Sequence, residues 1–257
     1  MKIVNSQLAQ SIQEQGMLKP PNNFGYIMLA AEIEKTASYI KVSKKKKALI
    51  KSLRSACRDL KKEAQVNRAD LFKAFLIPPG NEEGKNYLKE HDIDMPLAKY
   101  DVIVLIESES VSVLEEVEKL KIFEDVLALF KLQTKRFYKT RAKNIKRIDE
   151  VNKNKKGVFL FNFFYAKDKV VVQEVWEYTA GWWTAKANLT NSTALQPIDT
   201  DTSYQLINHC KWDKASQIIP ILILGKLGMI NGFNNFVLKN FTENDIVAMP
   251  VLYRLVT

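Results

Sequence analysis

Residues 158–165 are the stretch that most constrains what this chain can fold into. They read Val-Phe-Leu-Phe-Asn-Phe-Phe-Tyr, a run of high β-propensity in which Asn162 is the one amide. A strand that is apolar on both faces has to be covered on both faces, because either face would otherwise expose large side chains to water. The sequence therefore predicts a buried strand between two layers of the protein.

A helix rich in tryptophan is predicted directly after this strand. Its apolar side chains recur at steps of three and four residues, and they are Val172, Val175, Trp176, Thr179, Trp182 and Trp183. Asp168 precedes them at the position of an N-cap. The spacing indicates an amphipathic helix whose inner face is aromatic.

The remaining elements of the C-terminal part complete a recurrent order. Two β-like runs, 192–198 and 204–212, flank the turn-forming residues 199–203 and predict a hairpin. Asp213 is expected to cap a second helical stretch, and residues 246–256 supply a last strand. The order β-α-β-β-α-β is that of a ferredoxin-like domain.

The N-terminal part shows the same order without a clear fourth strand. Its predicted elements are a strand at 24–31, a helix at 43–64, a strand at 71–77, an acidic loop at 81–94, a strand at 100–107 and a helix, in one or two pieces, at 111–139. The expected fold class is α+β, with two ferredoxin-like half-domains. The expected divisions are an N-terminal arm at 1–22, a first half at 23–139, a basic linker at 140–156 and a second half at 157–257.

The composition is that of a folded protein with a sizeable core, since 46% of the 257 residues are hydrophobic and 26% are charged. Cys57 and Cys210 lie far apart and match no disulfide or metal spacing. The polar residues 1–17 lack the apolar segment of a signal peptide, and Pro220 interrupts the longest apolar run, 218–224. The sequence thus predicts a cytoplasmic protein without a transmembrane segment.

Positive charge is concentrated in two segments. Residues 41–62 hold ten basic side chains and one acid, and residues 131–156 hold eleven and two, which together account for the net charge of +10. One interpretation is a surface for nucleic acid or an anionic membrane. The other is a solvated lysine face on each of two helices, which the scarcity of aromatic residues in both segments favours. Lys44–Lys47 lie at a helix start, where positive charge opposes the helix dipole, and this keeps the first interpretation open.

These features resemble the dimeric α/β-barrel superfamily, which includes the antibiotic-biosynthesis monooxygenases and the haem-degrading monooxygenases. The likeness rests on the element order, the helix with Val175-Trp176, the aromatic first strand and a third strand ending in Cys210-Lys211-Trp212. It is strongest over 157–257 and weak over 24–130. In that superfamily two ferredoxin-like units pack sheet against sheet, so the resemblance implies that this chain forms a pseudo-dimeric α/β barrel from its own two halves.

The resemblance also bears on cofactors. The haem-degrading branch has an asparagine in the first strand and a tryptophan ending the third, which Asn162 and Trp212 match. Its histidine on the second helix has no counterpart, because the only histidines are His91 and His209. The resemblance therefore implies no cofactor, although haem held by another ligand stays open. Cofactor-independent oxygenases of the superfamily let a bound phenol or quinol ionise and react with dioxygen in an apolar cavity.

Strand periodicity predicts which side chains would share such a cavity. If Asn162 faces the helices, as the resemblance implies, the set on that side is Leu160, Asn162, Phe164, Asn208 and Trp212, opposite Trp176 and Trp183. Two amides in an aromatic space can hold a phenolate or carbonyl oxygen. The alternative is a solid core in which the amides satisfy the backbone and the indoles only pack. His209 points to the other face, where a core histidine is the favoured interpretation.

Three further features each have two interpretations. Gly225 to Gly232 form either a mobile lid or a plain connection. Arg254, in an apolar strand, either binds an anionic group or lies at an exposed strand end. The carboxylates near His91 suggest a metal site, for which a solvated loop is the favoured alternative, and they are Glu82, Glu83, Glu90, Asp92 and Asp94.

Three functions follow as hypotheses. The first is a small-molecule enzyme of the cofactor-independent monooxygenase type acting on an aromatic or phenolic substrate, with no metal. Its catalytic residues would be Asn162, Asn208 and Trp212, and its substrate-binding residues Trp176, Trp183, Phe164 and Arg254. The second is a non-catalytic ligand-binding or structural protein of the same fold, as a monomer or a homo-oligomer. The third is a binder of nucleic acid or anionic lipid through the two basic segments.

Overall fold

A computed structural model describes residues 1–7, 18–33, 42–78, 81–200 and 202–256, with the backbone alone at 81–83. Within these ranges eight strands close into one barrel. Helices pack against its outer faces, so the fold is of the mixed α+β class. Among the described residues no helix has both the length and the apolarity needed to cross a bilayer.

The first half supplies four strands and four helices. In chain order they are β1 (Gly25–Glu32), α1 (Lys44–Leu60), β2 (Arg68–Leu76), α2 (Asn81–Glu90), β3 (Val102–Ser108), α3 (Leu114–Glu118), α4 (Lys121–Gln133) and β4 (Arg136–Arg147). Helix α1 begins after Ser43, whose hydroxyl accepts a hydrogen bond from the Lys46 amide at 3.0 Å. The buried side chains of α1 include Leu49, Leu53 and Leu60, which cover the outer face of this half-sheet.

The second half repeats the plan with a broken second helix. Its elements are β5 (Val158–Tyr165), α5 (Lys169–Ala187), β6 (Ser192–Pro197), β7 (Leu206–Trp212), α6 (Ile219–Leu224), a π-helix (Phe233–Leu238), α7 (Lys239–Thr242) and β8 (Val247–Leu255). The predicted N-cap of α5 is confirmed, because the Asp168 carboxylate accepts the amides of Val170 at 2.7 Å and Val171 at 3.4 Å. The predicted β6–β7 hairpin is confirmed as well.

The strand order shows how two ferredoxin-like units make one barrel. The order is β1-β3-β2-β8-β5-β7-β6-β4, closed by β4 against β1. When the strands of each half are numbered 1 to 4 along the chain, both halves have the spatial order 4-1-3-2. The halves join through the antiparallel pairs β2–β8 and β4–β6. The predicted pseudo-dimeric α/β barrel of two ferredoxin-like half-domains is therefore confirmed.

Strand β5 is buried on both faces, as its composition predicts. Phe159, Phe161 and Phe163 point into the barrel, where each is fully buried. Leu160 and Phe164 point outward into the layer under the helices. The alternation places the Asn162 side chain on the helix side of the sheet.

The predicted helix at 111–139 and the predicted linker at 140–156 both need correction. Helix α4 ends at Gln133, and residues 136–147 form β4, the fourth strand that the first half lacked in the prediction. The strand was missed because its outward positions carry Lys139, Arg141 and Lys143, so the segment reads as a charged tether. Tyr138 and Ala142 alternate with them into the barrel interior.

Three smaller predictions also differ from the structure. Residues 81–90 of the predicted acidic loop form helix α2. Asp213 caps no helix: its carboxylate accepts a hydrogen bond from Lys211 at 2.7 Å, and a 3₁₀ turn at Ala215–Gln217 follows Lys214. Of the predicted arm, residues 8–17 lie outside the described ranges, while Lys19 forms a bridge with Arg147 of β4.

Candidate functional site

A cavity lies between the second half-sheet and its covering helices. Its volume is about 90 Å³, several times the ~10–15 Å³ that one water molecule requires. Its wall includes six of the seven predicted catalytic and substrate-binding residues, all except Arg254, namely Asn162, Phe164, Trp176, Trp183, Asn208 and Trp212. The sheet face and the aromatic helix thus enclose a space rather than a solid core.

Asn162 and Asn208 lie side by side on the floor of the cavity. They are directly opposed in the β5–β7 register, and Pro250 of β8 opposes Asn162 on its other side. The Asn208 Oδ1 accepts a hydrogen bond from the Ser192 hydroxyl at 2.6 Å. The Asn162 Oδ1 is buried, and no donor of the described residues lies within hydrogen-bond distance of it. The Asn208 oxygen is therefore already hydrogen-bonded within the protein, whereas the Asn162 oxygen is not.

The tryptophans form aromatic walls, and their indole N–H groups differ in use. The Trp212 N–H donates to the Ala187 carbonyl at 2.9 Å, so it is not available to a ligand. Trp183 meets Trp212 edge to face, with ring centroids 6.4 Å apart. Trp176 is only 5% exposed. The buried indole nitrogen without a hydrogen-bond partner among the described residues is that of Trp182, which does not line the cavity. Trp212 can therefore offer a ligand its ring surface but not its N–H.

The broken second helix closes the opposite side of the cavity. Phe233, Val237 and Leu238 of the π-helix, with Phe241 of α7, line this side. Insertion of a π-type turn is common at functional sites because it displaces side chains from the regular helical pattern. Gly232, directly before the π-helix, has φ +82°, and a Cβ there would lie 2.6 Å from the Trp182 Nε1. This glycine allows the π-helix and α5 to approach closely.

Titratable groups are scarce at the cavity. Among the described residues, its wall contains no histidine or carboxylate, and its thiol, Cys210, has a pKa raised by burial, so that it stays protonated. Lys226 is the one charged side chain that the described part of the wall contains. The residues present do not fit a haem ligated by histidine, since none of them is an imidazole. What the site offers is apolar surface with a few neutral polar groups.

His209 lies on the other side of the sheet, inside the barrel, as predicted. Its ring stacks on Phe161 with centroids 4.2 Å apart, and its Nδ1 lies 3.4 Å from the Leu160 carbonyl oxygen. Burial, followed by the nearby charge of Lys153, lowers the pKa of His209 well below 6.5. The residue is a neutral core histidine and does not reach the cavity.

Two other predicted sites lie apart from the cavity. Arg254 does not line the cavity: it is exposed at the strand end, donates to the Gly157 carbonyl at 2.9 Å and covers the Phe75 ring at 4.7 Å. Its charge is too well solvated there to need an anionic ligand. Of the suggested metal site near His91, the side chains of Glu82 and Glu83 lie outside the described part of the structure, and the side chains that are described form no cluster of metal-binding groups. The His91 Nδ1 contacts the Tyr87 carbonyl oxygen at 2.9 Å instead.

Several wall residues escaped prediction from the sequence. The position of Ser192 depends on long-range strand pairing, and Phe233 and Phe241 lie in and just after a π-helix that has no simple periodic signal. The hydrogen bond between Ser192 and Asn208 joins adjacent strands of a predicted hairpin. The register of that hairpin was the one signal from which this hydrogen bond could have been predicted.

Comparisons with known proteins agree with the architecture. No protein-family model and no curated protein sequence matches the chain. A solved structure described as an anthrone oxidase-like protein superposes with a TM-score of 0.60 at 8% identity, over 93% of this chain and 94% of the other. A candidate monooxygenase from Fusobacterium nucleatum gives a TM-score of 0.57 at 7% identity, over 92% and 94%. At such identities the likeness shows the fold, which is the dimeric α/β barrel made by a single chain.

Proposed function

We propose that the chain is a monooxygenase-type oxidoreductase that oxidises a neutral aromatic substrate with a phenolic hydroxyl and needs no cofactor. The cavity beside Asn162 would be the active site. The names of two similar structures, a candidate monooxygenase and an anthrone oxidase-like protein, support the reaction class. The aromatic wall and the near absence of charge support the substrate class.

The observation that carries the proposal is the Asn162 Oδ1 atom, buried and without a donor among the described residues. A buried polar atom without a hydrogen bond costs about 1–3 kcal/mol, so a fold gains nothing from keeping it. A phenolic O–H entering the cavity would donate to this oxygen. Asn208 would be fixed by Ser192 as a neighbouring polar surface, and Trp176 and Trp183 would flank the ring.

Dioxygen is the second substrate of the proposed reaction and its four-electron oxidant. Loss of the phenolic proton to water at the cavity mouth leaves an electron-rich anion, which reduces dioxygen directly. For a ring CH₂ that reacts through its phenol tautomer, the products are a ring C=O and water. The carbon loses four electrons, one oxygen atom enters the product, and the other leaves as water with both hydrogens. Once the proton has left, the Asn162 side-chain N–H₂ group, rather than its Oδ1, would donate to the anion, and the apolar walls would orient the anion and limit its hydration.

The test measures dioxygen consumption with anthrone as the substrate. Wild-type protein should accelerate consumption over buffer, and isotopically labelled dioxygen should place one labelled atom in the product. Asn162→Leu should lower kcat/KM by about 10–100-fold, the usual effect of removing a positioned polar group at a developing anion. The same change should leave the melting temperature unchanged or higher, because an unpaired buried oxygen is removed.

The matched control is Asn86→Leu, which makes the same change at an exposed position of α2 outside the cavity. Its turnover should equal that of the wild type. Full turnover in Asn162→Leu would reject the assigned site. Binding of anthrone without any dioxygen consumption would favour the non-catalytic ligand-binding alternative, which the lack of a histidine or carboxylate on the described wall also supports.

A further inference from the structure

The two basic segments of the chain differ once they are folded. In 131–156, five of the eleven basic side chains pair with carboxylates, in the pairs Arg136–Glu32, Lys139–Glu118, Arg141–Asp199, Arg147–Glu150 and Lys153–Glu107. Strand β4 forms 12 residues of this segment. Because nearly half of its basic side chains are paired with neighbouring acids, the segment is the weaker candidate for an anion-binding surface.

Helix α1 is different. Five of its exposed basic side chains follow one another at steps of three or four residues, and we call them the α1 stripe: Lys44, Lys47, Lys51, Arg54 and Arg58. Residues at this spacing lie on one helix face. Asp59 is the one acid of α1, and it pairs with Lys62 at 2.6 Å. No carboxylate of the described residues pairs with any member of the stripe.

The N-terminal members of the stripe do not stabilise the helix. Its first members lie in the first turn, which contains no acid, and positive charge there opposes the helix dipole. The lysine with a structural role is Lys46, which is fully buried and pairs with Asp101 at 2.8 Å. On the adjacent helix α4, the acids Glu124 and Asp125 pair with Lys121 of their own helix. The charge of the stripe therefore faces solvent.

The side chains exposed around the stripe favour some classes of anionic partner over others. The side chains exposed between its charges are small, namely Ala48, Ser52 and Ser55. No large apolar side chain is exposed on α1, because Leu49, Leu53 and Leu60 are buried against the sheet. A helix that lies in a membrane interface needs exposed apolar side chains to insert. Binding of single-stranded nucleic acid usually uses exposed aromatic rings, which α1 also lacks.

We propose that the α1 stripe binds the phosphate backbone of double-stranded nucleic acid without reading its sequence. The 17 residues of α1 span about 25 Å, so the five charges follow one another at about 5 Å along a straight line. A line of closely spaced cations matches a linear polyanion better than a single small anion. Contacts of this kind neutralise phosphates and release counterions, and they carry no base specificity. The inference is independent of the cavity and of the proposed oxidation.

The test is the affinity for a fluorescent 20-base-pair DNA duplex, measured by anisotropy between 50 and 200 mM salt. The variant replaces Lys47, Lys51, Arg54 and Arg58 together by glutamine, a good helix former that keeps the fold. We expect at least tenfold weaker binding at 50 mM salt. The slope of log affinity against log salt should fall by about 3–4, since each lost phosphate contact removes about 0.9.

The matched control replaces four exposed lysines outside the stripe by glutamine, namely Lys156, Lys167, Lys169 and Lys186, so that the net charge is the same. The control should bind the duplex nearly as tightly as the wild type, and circular dichroism should show both variants folded. Equal losses in the two variants would mean that net charge alone acts, and would overturn the proposal. Absence of duplex binding by the wild type at low salt, or tighter binding to phosphatidylserine vesicles than to the duplex, would overturn it as well.

Discussion

Two neighbouring residues of β7 show how the alternation of side chains along a strand separates a cavity residue from a core residue. Asn208 and His209 are consecutive, yet Asn208 faces the cavity and His209 faces the barrel interior. Because successive strand residues alternate, this assignment could be made from the sequence once one face was placed. The hydrogen-bond partner of each polar atom could not be predicted, because the Ser192–Asn208 hydrogen bond and the unpaired Asn162 Oδ1 depend on strand register and on packing distances.

At the residue scale, His209 should make the protein less stable at mildly acidic pH. Its pKa is lowered well below 6.5 in the folded state, chiefly by burial, so below pH 6.5 the unfolded chain takes up a proton that the folded chain refuses. The contribution of neutral His209 to the free energy of unfolding is complete above pH 6.5. It falls as the pH drops towards the folded-state pKa, by up to about 1.4 kcal/mol per pH unit.

Denaturant unfolding of the wild type and of His209→Phe between pH 7.5 and 5 measures this contribution. The free energy of unfolding of the wild type should decline more steeply than that of the variant, whose ring stacks on Phe161 without titrating. Identical pH slopes would show that His209 is protonated as easily in the fold as in water.

At the scale of elements, the least predictable parts were those whose pattern departs from a single period. Strand β4 was read partly as a linker because its lysines and arginines dominate its composition, although Tyr138 and Ala142 alternate inward. Gly225 to Gly232 were expected to form a lid or a plain connection, but glycine spacing does not specify the π-helix that follows them. Helix α5 and strand β5 were predictable because each keeps one strong period throughout.

Two glycines near the π-helix give a matched pair of variants. Gly232 and Gly228 have φ of +82° and +75°, so alanine at either costs about 1–2 kcal/mol for the left-handed backbone. Only at Gly232 would the new Cβ meet a rigid buried ring, 2.6 Å from the Trp182 Nε1, whereas at Gly228 the nearest atom is 3.9 Å away.

Gly232→Ala should therefore lose about 1–3 kcal/mol more stability than Gly228→Ala, as overpacked cores do. Chemical denaturation of both variants checks the difference. Equal losses would show that Trp182 moves aside without cost, and that the close approach of α5 and the π-helix does not hold the cavity wall in place.

At the scale of the whole molecule, the repeated element order predicted two similar halves, and the resemblance to the dimeric α/β-barrel superfamily implied that they close into one barrel. Both halves share the order 4-1-3-2, and the pairs β2–β8 and β4–β6 complete the ring within one chain. Within the described residues, each half-sheet thus has its inner face filled by the other and its outer face covered by helices. The cavity forms on the second outer face, where α5 is aromatic and the following helix is broken.

The central claim is that this hollow receives an aromatic molecule beside Asn162, and a crystal structure of the protein grown with anthrone under anaerobic conditions tests it most directly. We predict a planar ligand between Trp176 and Trp183 with its oxygen within hydrogen-bond distance of the Asn162 side chain. A cavity filled by rotated Trp183 or Phe233 side chains, with no ligand at saturating anthrone, would contradict the account.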